Sequence, residues 1–336
     1  MSLSLEATLR ERLGGLIGEA LGACEAEIGR ELAASPVPLI RELGEYVALA
    51  GGKRLRPILV LLCARLGGGL GPRAARLGCL VELLHTATLI HDDVVDCAPL
   101  RRGRPSANAR WGDDASLLVG DHLYSRCMAI LVADADLAVM DALAAAMVSM
   151  TEAEVFQLER KREGQLSEAD YLRIIRQKTA TFISACCRIG GIVAGLDGPA
   201  VVALAAYGED LGIAFQIIDD SLDFDADQAR LGKPVGADLR EGKRTLPLIA
   251  TLERATDGER ARILDVLRRP SPADAGADRD IAEVHRLVKV YDGVGYAVGR
   301  AAEYASRATA ELARFPLSEE REVLGLIANY VIHRDR

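Results

Sequence analysis

Two short acidic patterns of the form Asp-Asp-x-x-Asp are the residues of this chain best suited to chemistry. They lie in L-I-H-D-D-V-V-D and F-Q-I-I-D-D-S-L-D, so each follows an apolar stretch of helical character. The six carboxylates are Asp92, Asp93 and Asp96 in the first pattern and Asp219, Asp220 and Asp223 in the second. On a helix, the first and last Asp of each pattern lie one turn apart on the same face. Each pattern therefore offers paired carboxylates at one spot, in surroundings where charge is costly.

Six carboxylates around one cavity would repel one another unless cations neutralise them. Mg2+ is the natural candidate, because it prefers oxygen ligands and is usually held by one or two carboxylates together with substrate phosphates. A single pattern of this kind could equally be a solvated helix face or an N-cap. Two copies, each preceded by apolar residues such as Ile90 and Ile218, favour buried helices instead. The two acidic patterns together predict that the chain carries two copies of a diphosphate-binding motif.

Composition narrows the class of protein. The chain has 336 residues, of which 50% are hydrophobic, and this is enough for one large core. Its net charge of -8 argues against a nucleic-acid-binding surface. The seven cysteines show no C-x-x-C spacing, so we expect small core residues in a reducing compartment. Signal-peptide patterning is missing and the apolar runs are short, so we expect a cytoplasmic protein without a transmembrane segment.

Helical periodicity dominates the chain. Long segments carry apolar residues three and four positions apart, whereas the alternation typical of strands is missing. The clearest examples are 77–92, 115–132, 137–158 and 200–223. The breaks between segments are rich in Gly, Pro or charge, and none resembles an interdomain linker. We therefore expect an all-α protein with a single domain over residues 1–336.

Basic residues near the acidic patterns could bind phosphate. Lys53 and Arg56 in G-G-K-R-L-R-P open a predicted helix and could converge on one phosphate. Arg101 and Arg102 follow the first acidic pattern, and arginine binds phosphate oxygens with two parallel hydrogen bonds. His85 lies two turns before the first pattern on the same side of the helix, so a phosphate contact is plausible there too.

A third basic cluster follows in the second half of the chain. It comprises positions 178–179, the loop 232–238 and Lys243. A Gly-rich, charged loop that comes directly after a metal-binding helix can act as a lid over substrate. Each cluster alone could be ordinary surface charge. Together the three clusters indicate a site for two diphosphates.

These motifs give the chain a clear resemblance to the polyprenyl synthetase family of trans-isoprenyl diphosphate synthases, over essentially its full length. The matching segments are G-G-K-R-L-R-P, H-T-A-T-L-I-H-D-D-V-V-D, L-R-R-G-R-P-S-A-N, V-G-D, Q-K-T-A, F-Q-I-I-D-D-S-L-D, G-K-P-V-G-A-D-L-R-E-G-K-R-T-L-P-L-I and a closing R-D-R. Several long motifs in the right order make the resemblance specific. It implies a helical bundle around a central cavity, the type I isoprenoid synthase fold, usually in a homodimer.

The resemblance also implies an activity: isopentenyl diphosphate is joined to an allylic diphosphate with the help of about three Mg2+ ions. Both acidic patterns would hold Mg2+ on the allylic diphosphate from opposite walls. The residues that match positions gripping the allylic diphosphate are Arg101, Lys178, Thr179, Gln216, Lys233 and Lys243. Those that match positions binding isopentenyl diphosphate are Lys53, Arg56, His85 and Arg102. The residues expected to carry catalysis are Asp92, Asp93, Lys178, Asp219 and Asp220.

Product length is predicted from the helix that leads to Asp92. Residues four, eight and eleven positions before it lie on the same side, which gives Thr88, Leu84 and Val81, with Ala87 beside Thr88. None is aromatic, whereas short-chain members of the family place Phe or Tyr near this spot as a floor. We therefore expect a long all-trans product of about C35 to C50, centred on octaprenyl diphosphate. By the resemblance it supplies quinone side chains and is handed to membrane enzymes.

Other functions stay open from the sequence. A short-chain synthase of farnesyl or geranylgeranyl diphosphate would share every motif except the open floor. A class I terpene cyclase normally has an N-S-E type second metal site and needs no isopentenyl diphosphate pocket. This chain has a second Asp-Asp-x-x-Asp pattern and the residues of such a pocket, so a cyclase is disfavoured. A head-to-head synthase is disfavoured for the same reason. A non-catalytic subunit of a heteromeric synthase typically loses the acidic patterns, which this chain keeps.

Overall fold

The computed structural model describes residues 2–163, 166–224, 236–268 and 275–333. Within these ranges α-helices dominate, which confirms the predicted all-α fold class. The first helices are α1 Ser2–Ala33, α2 Pro38–Ala48, α3 Leu55–Leu66, α4 Pro72–Val95, α5 Ala107–Trp111, α6 Asp113–Asp134, α7 Leu137–Glu163 and α8 Glu168–Ile175. Those that follow are α9 Thr181–Val193, α10 Gly198–Leu222, α11 Ala237–Arg240, α12 Leu246–Arg254, α13 Asp257–Arg268, α14 Ala275–Val290, α15 Gly293–Glu311 and α16 Glu319–His333.

Local sequence signals set where the two longest site-bearing helices begin. α4 has Pro72 at its first position, where an amide proton is not needed. α10 follows Asp197, whose side chain accepts a hydrogen bond from the Ala200 amide at 2.8 Å. The four segments predicted as helical fall within α4, α6, α7 and α10, and only Asp223 lies outside, as the C-cap of α10.

α10 lies in the middle of the bundle, where it packs against α9 and α15. Two glycines permit this close approach. A Cβ atom at Gly208 would lie 2.8 Å from the carbonyl oxygen of Ile183 in α9, and one at Gly212 would lie 2.6 Å from the Cα atom of Ala180. Because packed interiors do not tolerate such distances, any larger residue would push these elements apart.

The buried apolar side chains form two clusters. The larger one joins α1, α3, α4, α9, α10, α15 and α16. The smaller one lies in α11 to α14 and consists of Leu239, Leu248, Ile263, Ile281, Val284, Leu287 and Val288. Phe224, directly after the second acidic pattern, packs against this smaller cluster. The C-terminal helices are thereby coupled to the end of α10.

A small hairpin interrupts the helical architecture between α4 and α5. Two strands, β1 Leu100–Arg101 and β2 Arg104–Pro105, pair in antiparallel orientation. Arg102 and Gly103 form the turn, with positive φ angles of 52° and 75°. The hairpin holds the two arginines that follow the first acidic pattern.

Two helices, α6 and α10, are long and apolar enough to cross a membrane by length and composition alone, which the sequence analysis did not anticipate. A core helix of a globular fold passes the same test, and 61% of the relevant window of α10 is buried inside the bundle. For α6 the buried share is 39%, so much of its apolar surface faces outward.

Candidate active site

Both acidic patterns lie at the C-terminal ends of long helices. Asp92 and Asp93 occupy the last turn of α4, and Asp96 is its C-cap. The second pattern holds the same place at the end of α10, with Asp223 as the C-cap. A helix C-terminus carries partial negative charge, so carboxylates are unfavourable there unless cations lie nearby.

Two of the three carboxylates of the first pattern are poorly solvated, whereas Asp96 is exposed. The Asp93 side chain is 1% exposed and accepts a hydrogen bond from Arg101 Nε at 2.6 Å. Burial raises the pKa of Asp93, and the charge of Arg101 opposes that shift. Burial raises the pKa of Asp92 to about 6, with Lys178 opposing the shift and Glu154 adding to it. This end of α4 therefore concentrates negative charge that a bound cation would stabilise.

Asp220 of the second pattern is held by two side chains. The Tyr171 hydroxyl of α8 donates to Oδ2 at 2.7 Å, and Gln216 Nε2 donates to Oδ1 at 2.7 Å. Burial raises the pKa of Asp220 to about 6, while the hydrogen bonds from Tyr171 and Gln216 lower it and Asp219 raises it. The orientation of the Asp220 carboxylate is thus fixed before any ligand binds.

Asp238, at the start of α11, extends the acidic surface beyond the second pattern. Its backbone amide donates to Asp223 Oδ2 at 3.1 Å. Burial, followed by the charges of Asp220 and Asp223, raises the pKa of Asp238 to about 8. The acidic cluster at the end of α10 is therefore larger than the pattern itself.

Lys243 links the two patterns. Its Nζ lies 3.5 Å from Asp96 Oδ2, and its charge lowers the pKa of Asp220. Burial alone would lower the pKa of Lys243, but Glu241 and Asp96 outweigh it and raise that pKa. Lys243 is therefore a fixed positive charge between the ends of α4 and α10.

A π-helical turn, Arg176–Ala180, joins α8 to α9 and carries Lys178 and Thr179. Thr179 Oγ1 donates to Gln216 Oε1 at 2.9 Å, which connects the turn to the second acidic pattern. Lys178 Nζ forms an ion pair with Glu154 of α7 and acts electrostatically on the first pattern. Such turns occur frequently at functional sites, because they redirect side chains out of the regular helical register.

The residues predicted to bind isopentenyl diphosphate surround the start of α3. Lys53 is exposed, donates from Nζ to the Tyr330 hydroxyl at 2.9 Å and lies over the Tyr330 ring. Arg102 Nη1 donates to the carbonyl oxygen of Gly51. The β-hairpin and the loop before α3 are thus joined directly.

Arg56 and His85 form the inner part of this basic group. The Arg56 guanidinium lies 5.2 Å from the centre of the Phe182 ring, and its Nε is buried without a hydrogen-bond partner. Burial lowers the pKa of Arg56. Burial, followed by the charges of Arg56 and Arg102, holds the pKa of His85 well below its ordinary value. The imidazole is therefore neutral and can accept or donate a hydrogen bond without adding charge.

The predicted floor residues divide between two environments. Leu84 and Ala87 are buried in the main core, as is Val81. Thr88 is partly exposed on the side of His85, and its Oγ1 donates to the His85 carbonyl oxygen at 2.8 Å. Of this group, Thr88 has the accessible side chain.

Two predicted features lie outside the described residues. One is Lys233, and the loop 232–238 is described only from Gly236 onward. The other is the closing R-D-R at 334–336.

The carboxylates of the two patterns suit a metal ion whose other ligands come from the substrate. In the part of the chain that the structure describes, no group of three or more His, Cys, Asp or Glu side chains could hold a metal ion. Mg2+ is usually held by one or two carboxylates, with phosphate oxygens and water completing its octahedral shell. The paired carboxylates at the ends of α4 and α10 fit this mode of binding.

Sequence reasoning missed three residues of the site: Tyr171, Glu154 and Asp238. Glu154 could have been suspected as an acidic residue inside the predicted helix 137–158. Asp238 stands in the charged loop before Lys243, where a metal-site role was not considered. Tyr171 gives no local signal, because its contact with α10 is purely tertiary.

Comparisons with known proteins identify the family to which the chain belongs. The family model described as polyprenyl synthetase matches residues 37–284. Octaprenyl diphosphate synthase of Escherichia coli (strain K12) is 37% identical, over 97% of this chain and 99% of the relative. A short chain isoprenyl diphosphate synthase of Methanothermobacter thermautotrophicus is 35% identical, over 90% of this chain and 92% of the relative.

A solved structure shows the same fold. It is a polyprenyl synthase from Caulobacter crescentus CB15 complexed with calcium and isoprenyl diphosphate, with a TM-score of 0.90 and 37% sequence identity. The alignment covers 96% of this chain and 97% of that one. The chain belongs to the polyprenyl synthetase family of trans-prenyl diphosphate synthases and is a prenyltransferase.

Proposed function

We propose that this protein condenses isopentenyl diphosphate head-to-tail with an allylic diphosphate and repeats the step to a long all-trans product. The expected length is about C35 to C50, centred on octaprenyl diphosphate, because the floor position Thr88 carries no aromatic ring. One observation carries the proposal: Lys243 Nζ lies 3.5 Å from Asp96 Oδ2 at the end of α4, and its charge also acts on Asp220 at the end of α10. A diphosphate with its cations can therefore be held from both sides.

The metal in this proposal is Mg2+. Its ligands would come from Asp92, Asp93 and Asp96 at the end of α4 and Asp219, Asp220 and Asp223 at the end of α10. When bound, Mg2+ neutralises the diphosphate and stabilises the charge that develops as it leaves. The similar Caulobacter polyprenyl synthase is complexed with calcium, which supports the use of a divalent cation by this protein.

The basic side chains of the site then act on the allylic diphosphate. Arg101, Lys178 and Lys243 stabilise the negative charge on the leaving group, so the allylic C–O bond can ionise. Lys178 pairs with Glu154 in the free protein, so it exchanges this partner for a phosphate oxygen when substrate binds. The double bond of isopentenyl diphosphate attacks the allylic cation, and the departing diphosphate takes the proton that is lost.

The second diphosphate belongs to isopentenyl diphosphate. Lys53, Arg56 and Arg102 supply positive charge around the start of α3, and the unpartnered Nε of Arg56 is one donor ready for a phosphate oxygen. Neutral His85 adds a hydrogen bond on the side of α4 that leads to the first acidic pattern. This arrangement separates the isopentenyl diphosphate subsite from the metal-dependent one.

Product length is supported from two directions. The sequence places small side chains at Ala87 and Thr88, and the Escherichia coli relative is an octaprenyl diphosphate synthase. The Methanothermobacter relative is a short-chain enzyme, so a farnesyl or geranylgeranyl product is the second candidate. Long products suit quinone side chains and would be passed to membrane enzymes.

We further propose a cytoplasmic homodimer with one domain over residues 1–336. Large apolar side chains remain exposed along α6 and α7, and a second copy of this chain would cover them. Acidic surface charge disfavours nucleic acid as a partner.

The proposal is tested by incubating the purified protein with Mg2+, labelled isopentenyl diphosphate and farnesyl diphosphate, and then sizing the dephosphorylated products. Parallel reactions use dimethylallyl and geranyl diphosphate as primers. A ladder ending near C40 is expected. Products that stop at C15 or C20 would select the short-chain candidate, and no incorporation with any primer would favour the non-catalytic subunit.

A further inference from the structure

Arg54 is the second of the three basic residues of the segment G-G-K-R-L-R-P. It lies between Lys53 and Arg56 and is the N-cap residue of α3. Its backbone is left-handed, with φ of 49°, a conformation that arginine adopts rarely. A non-glycine residue persists in this conformation only when its surroundings determine it strongly.

The surroundings of Arg54 consist of three helices. Nη1 donates to Glu82 Oε1 of α4 at 2.7 Å, and Nη2 donates to the Ala48 carbonyl oxygen at the end of α2 at 2.8 Å. Nε lies 3.6 Å from Glu25 Oε1 of α1. One guanidinium therefore ties the loop before α3 to α1, α2 and α4.

The ion pair of Arg54 with Glu82 is buried. The side chains are 11% and 7% exposed, respectively. Removing one partner of a buried pair leaves the other charge without compensation, so such pairs hold their geometry firmly. Because its guanidinium is directed at protein groups, Arg54 is poorly placed to bind substrate phosphate.

Glu82 places the pair beside the isopentenyl diphosphate subsite. It lies one helical turn before His85 on α4, and its carbonyl oxygen accepts a hydrogen bond from Thr86 Oγ1 at 2.8 Å. The pair thus spans from the turn of α4 that carries His85 to the loop that carries Lys53. Arg102 holds the same loop from the hairpin, through its bond to Gly51.

We propose that Arg54 is a positioning residue: its ion pair with Glu82 fixes the loop 49–54 and the start of α3, so that Lys53 and Arg56 stand opposite His85 and bind isopentenyl diphosphate. This inference rests on the proposed function and adds a residue that does not touch substrate. It requires that loss of the pair weaken the isopentenyl diphosphate subsite while leaving the allylic subsite intact.

The test compares Arg54→Gly with wild type. Glycine accepts the left-handed backbone, so this variant removes the side chain without adding backbone strain. We expect the KM for isopentenyl diphosphate to rise about tenfold or more, with the KM for farnesyl diphosphate within about twofold of wild type. Calorimetric titration of the metal-free protein with isopentenyl diphosphate should show the same loss of affinity without turnover. Glu82→Gln should behave like Arg54→Gly.

Arg65→Met is the matched control. Arg65 lies at the other end of α3 and pairs with Glu320 at 3.0 Å, so this variant removes an Arg–Glu pair that has no contact with the loop. Both KM values should stay within about twofold of wild type. An equal rise for isopentenyl diphosphate in Arg65→Met and Arg54→Gly would overturn the positioning role.

A double variant, Arg54→Gly with Glu82→Leu, keeps the test decisive if the single variants fold poorly. It leaves neither charge of the pair uncompensated and suits the left-handed backbone, so this protein should melt closer to the wild-type temperature than either single variant. It should still bind isopentenyl diphosphate about tenfold more weakly. If it binds as tightly as wild type, the pair is purely structural and the inference is wrong.

Binding and incorporation of isopentenyl diphosphate by the wild-type protein distinguish a failure of this inference from a failure of the proposed function. Wild-type protein that neither binds nor incorporates isopentenyl diphosphate would overturn both. Wild-type protein that binds it normally, beside an Arg54→Gly variant that binds it equally well, would overturn the positioning role alone.

Discussion

At the scale of single residues, the site carries carboxylates whose ionisation opposes folding at neutral pH. Burial raises the pKa of both Asp92 and Asp220 to about 6, above the ordinary value for aspartate. Between about pH 4 and pH 6 the folded protein therefore binds more protons than the unfolded chain, so its stability falls as pH rises through that window. The carboxylates reduce stability but provide a site that a divalent cation can occupy.

We expect Asp92→Asn to stabilise the metal-free protein at pH 7 by about 1–3 kcal/mol, because it removes a buried charge. The gain should be small near pH 4, where wild-type Asp92 is almost fully protonated in the folded state and close to half protonated in the unfolded state. Urea unfolding in EDTA at the two pH values measures it. Glu152→Gln, at an exposed position of α7, should show no such gain. Lower stability of Asp92→Asn than wild type at pH 7 would contradict the burial argument.

Tyr171→Phe should weaken the binding of Mg2+ by Asp220. Without the 2.7 Å hydrogen bond that carboxylate is less well oriented, so the Mg2+ concentration for half-maximal activity should rise about tenfold. Tyr207→Phe is a matched control, since the Tyr207 hydroxyl donates to the Leu324 carbonyl oxygen at 2.8 Å in the core. It should lower stability and leave the Mg2+ titration unchanged. Equal Mg2+ titrations for Tyr171→Phe and wild type would contradict this role.

The sequence could predict the acidic patterns but not what holds them. Carboxylates in apolar helices are conspicuous because they are costly, so Asp92 and Asp220 were evident from the repeated pattern and its apolar context. Tyr171 and Glu154 act through contacts between helices that are distant in sequence. Lys243 was predicted as a phosphate ligand, and only the fold shows that it lies between the two patterns.

At the scale of secondary-structure elements, the site depends on how closely α10 approaches the π-helical turn Arg176–Ala180. Gly212 permits this approach, because a Cβ atom there would lie 2.6 Å from the Cα atom of Ala180. Gly212→Ala should therefore cost about 1–3 kcal/mol and displace Lys178 and Thr179, lowering condensation activity. Thermal unfolding and product formation measure the two effects.

The matched control is Gly198→Ala at the start of the same helix, where an added Cβ meets nothing within 4 Å. Alanine has the higher helix propensity, so this variant should be neutral or slightly stabilising, with unchanged activity. Equal behaviour of the two variants would show that the contact with the turn does not position the site.

The helix α4 is the element where product length is tested. Thr88 is the accessible member of the predicted floor, so Thr88→Phe should place a ring across the path of the growing chain and shorten the products. Thr88→Val has nearly the same volume as wild type and should leave the product ladder unchanged. Chromatography of the dephosphorylated products decides between the outcomes. An unchanged ladder for Thr88→Phe would mean that the floor lies elsewhere.

Periodicity predicted the long helices well, because α4, α6, α7 and α10 repeat apolar residues every turn. It could not predict the hairpin of β1 and β2, whose strands of two residues are too short for an alternating pattern. The π-helical turn was equally hidden, since one extra residue in a helical turn leaves no mark in composition. Both irregular elements carry predicted phosphate ligands, so the least predictable backbone lies at the site.

At the scale of the whole molecule, many of the exposed large apolar side chains lie on α6 and α7, two helices that follow each other in the sequence. These side chains are Leu117, Leu118, Met128 and Val132 on α6, and Leu137, Val148, Val155 and Leu158 on α7. Leu137, Val148 and Val155 share one face of α7 by helical spacing. Exposed apolar side chains grouped in this way are typical of protein–protein or membrane contacts. The sequence contained these residues, but only the fold shows that the core leaves them uncovered.

The proposed homodimer, in which a second copy of the chain covers α6 and α7, would account for these exposed side chains. Val148, at 59% exposure, lies between the other two residues of the α7 face, so Val148→Glu with Leu118→Glu would place unpaired charge inside the interface. Light scattering after size exclusion should give twice the monomer mass for wild type and the monomer mass for this variant. Leu317→Glu, at 85% exposure in the turn before α16, is the control and should remain dimeric. A wild-type monomer, or a double variant that stays dimeric, would assign the apolar face to another contact. The candidate site draws its named residues from one chain, so a folded monomer that keeps activity would show that assembly protects apolar surface without completing the site.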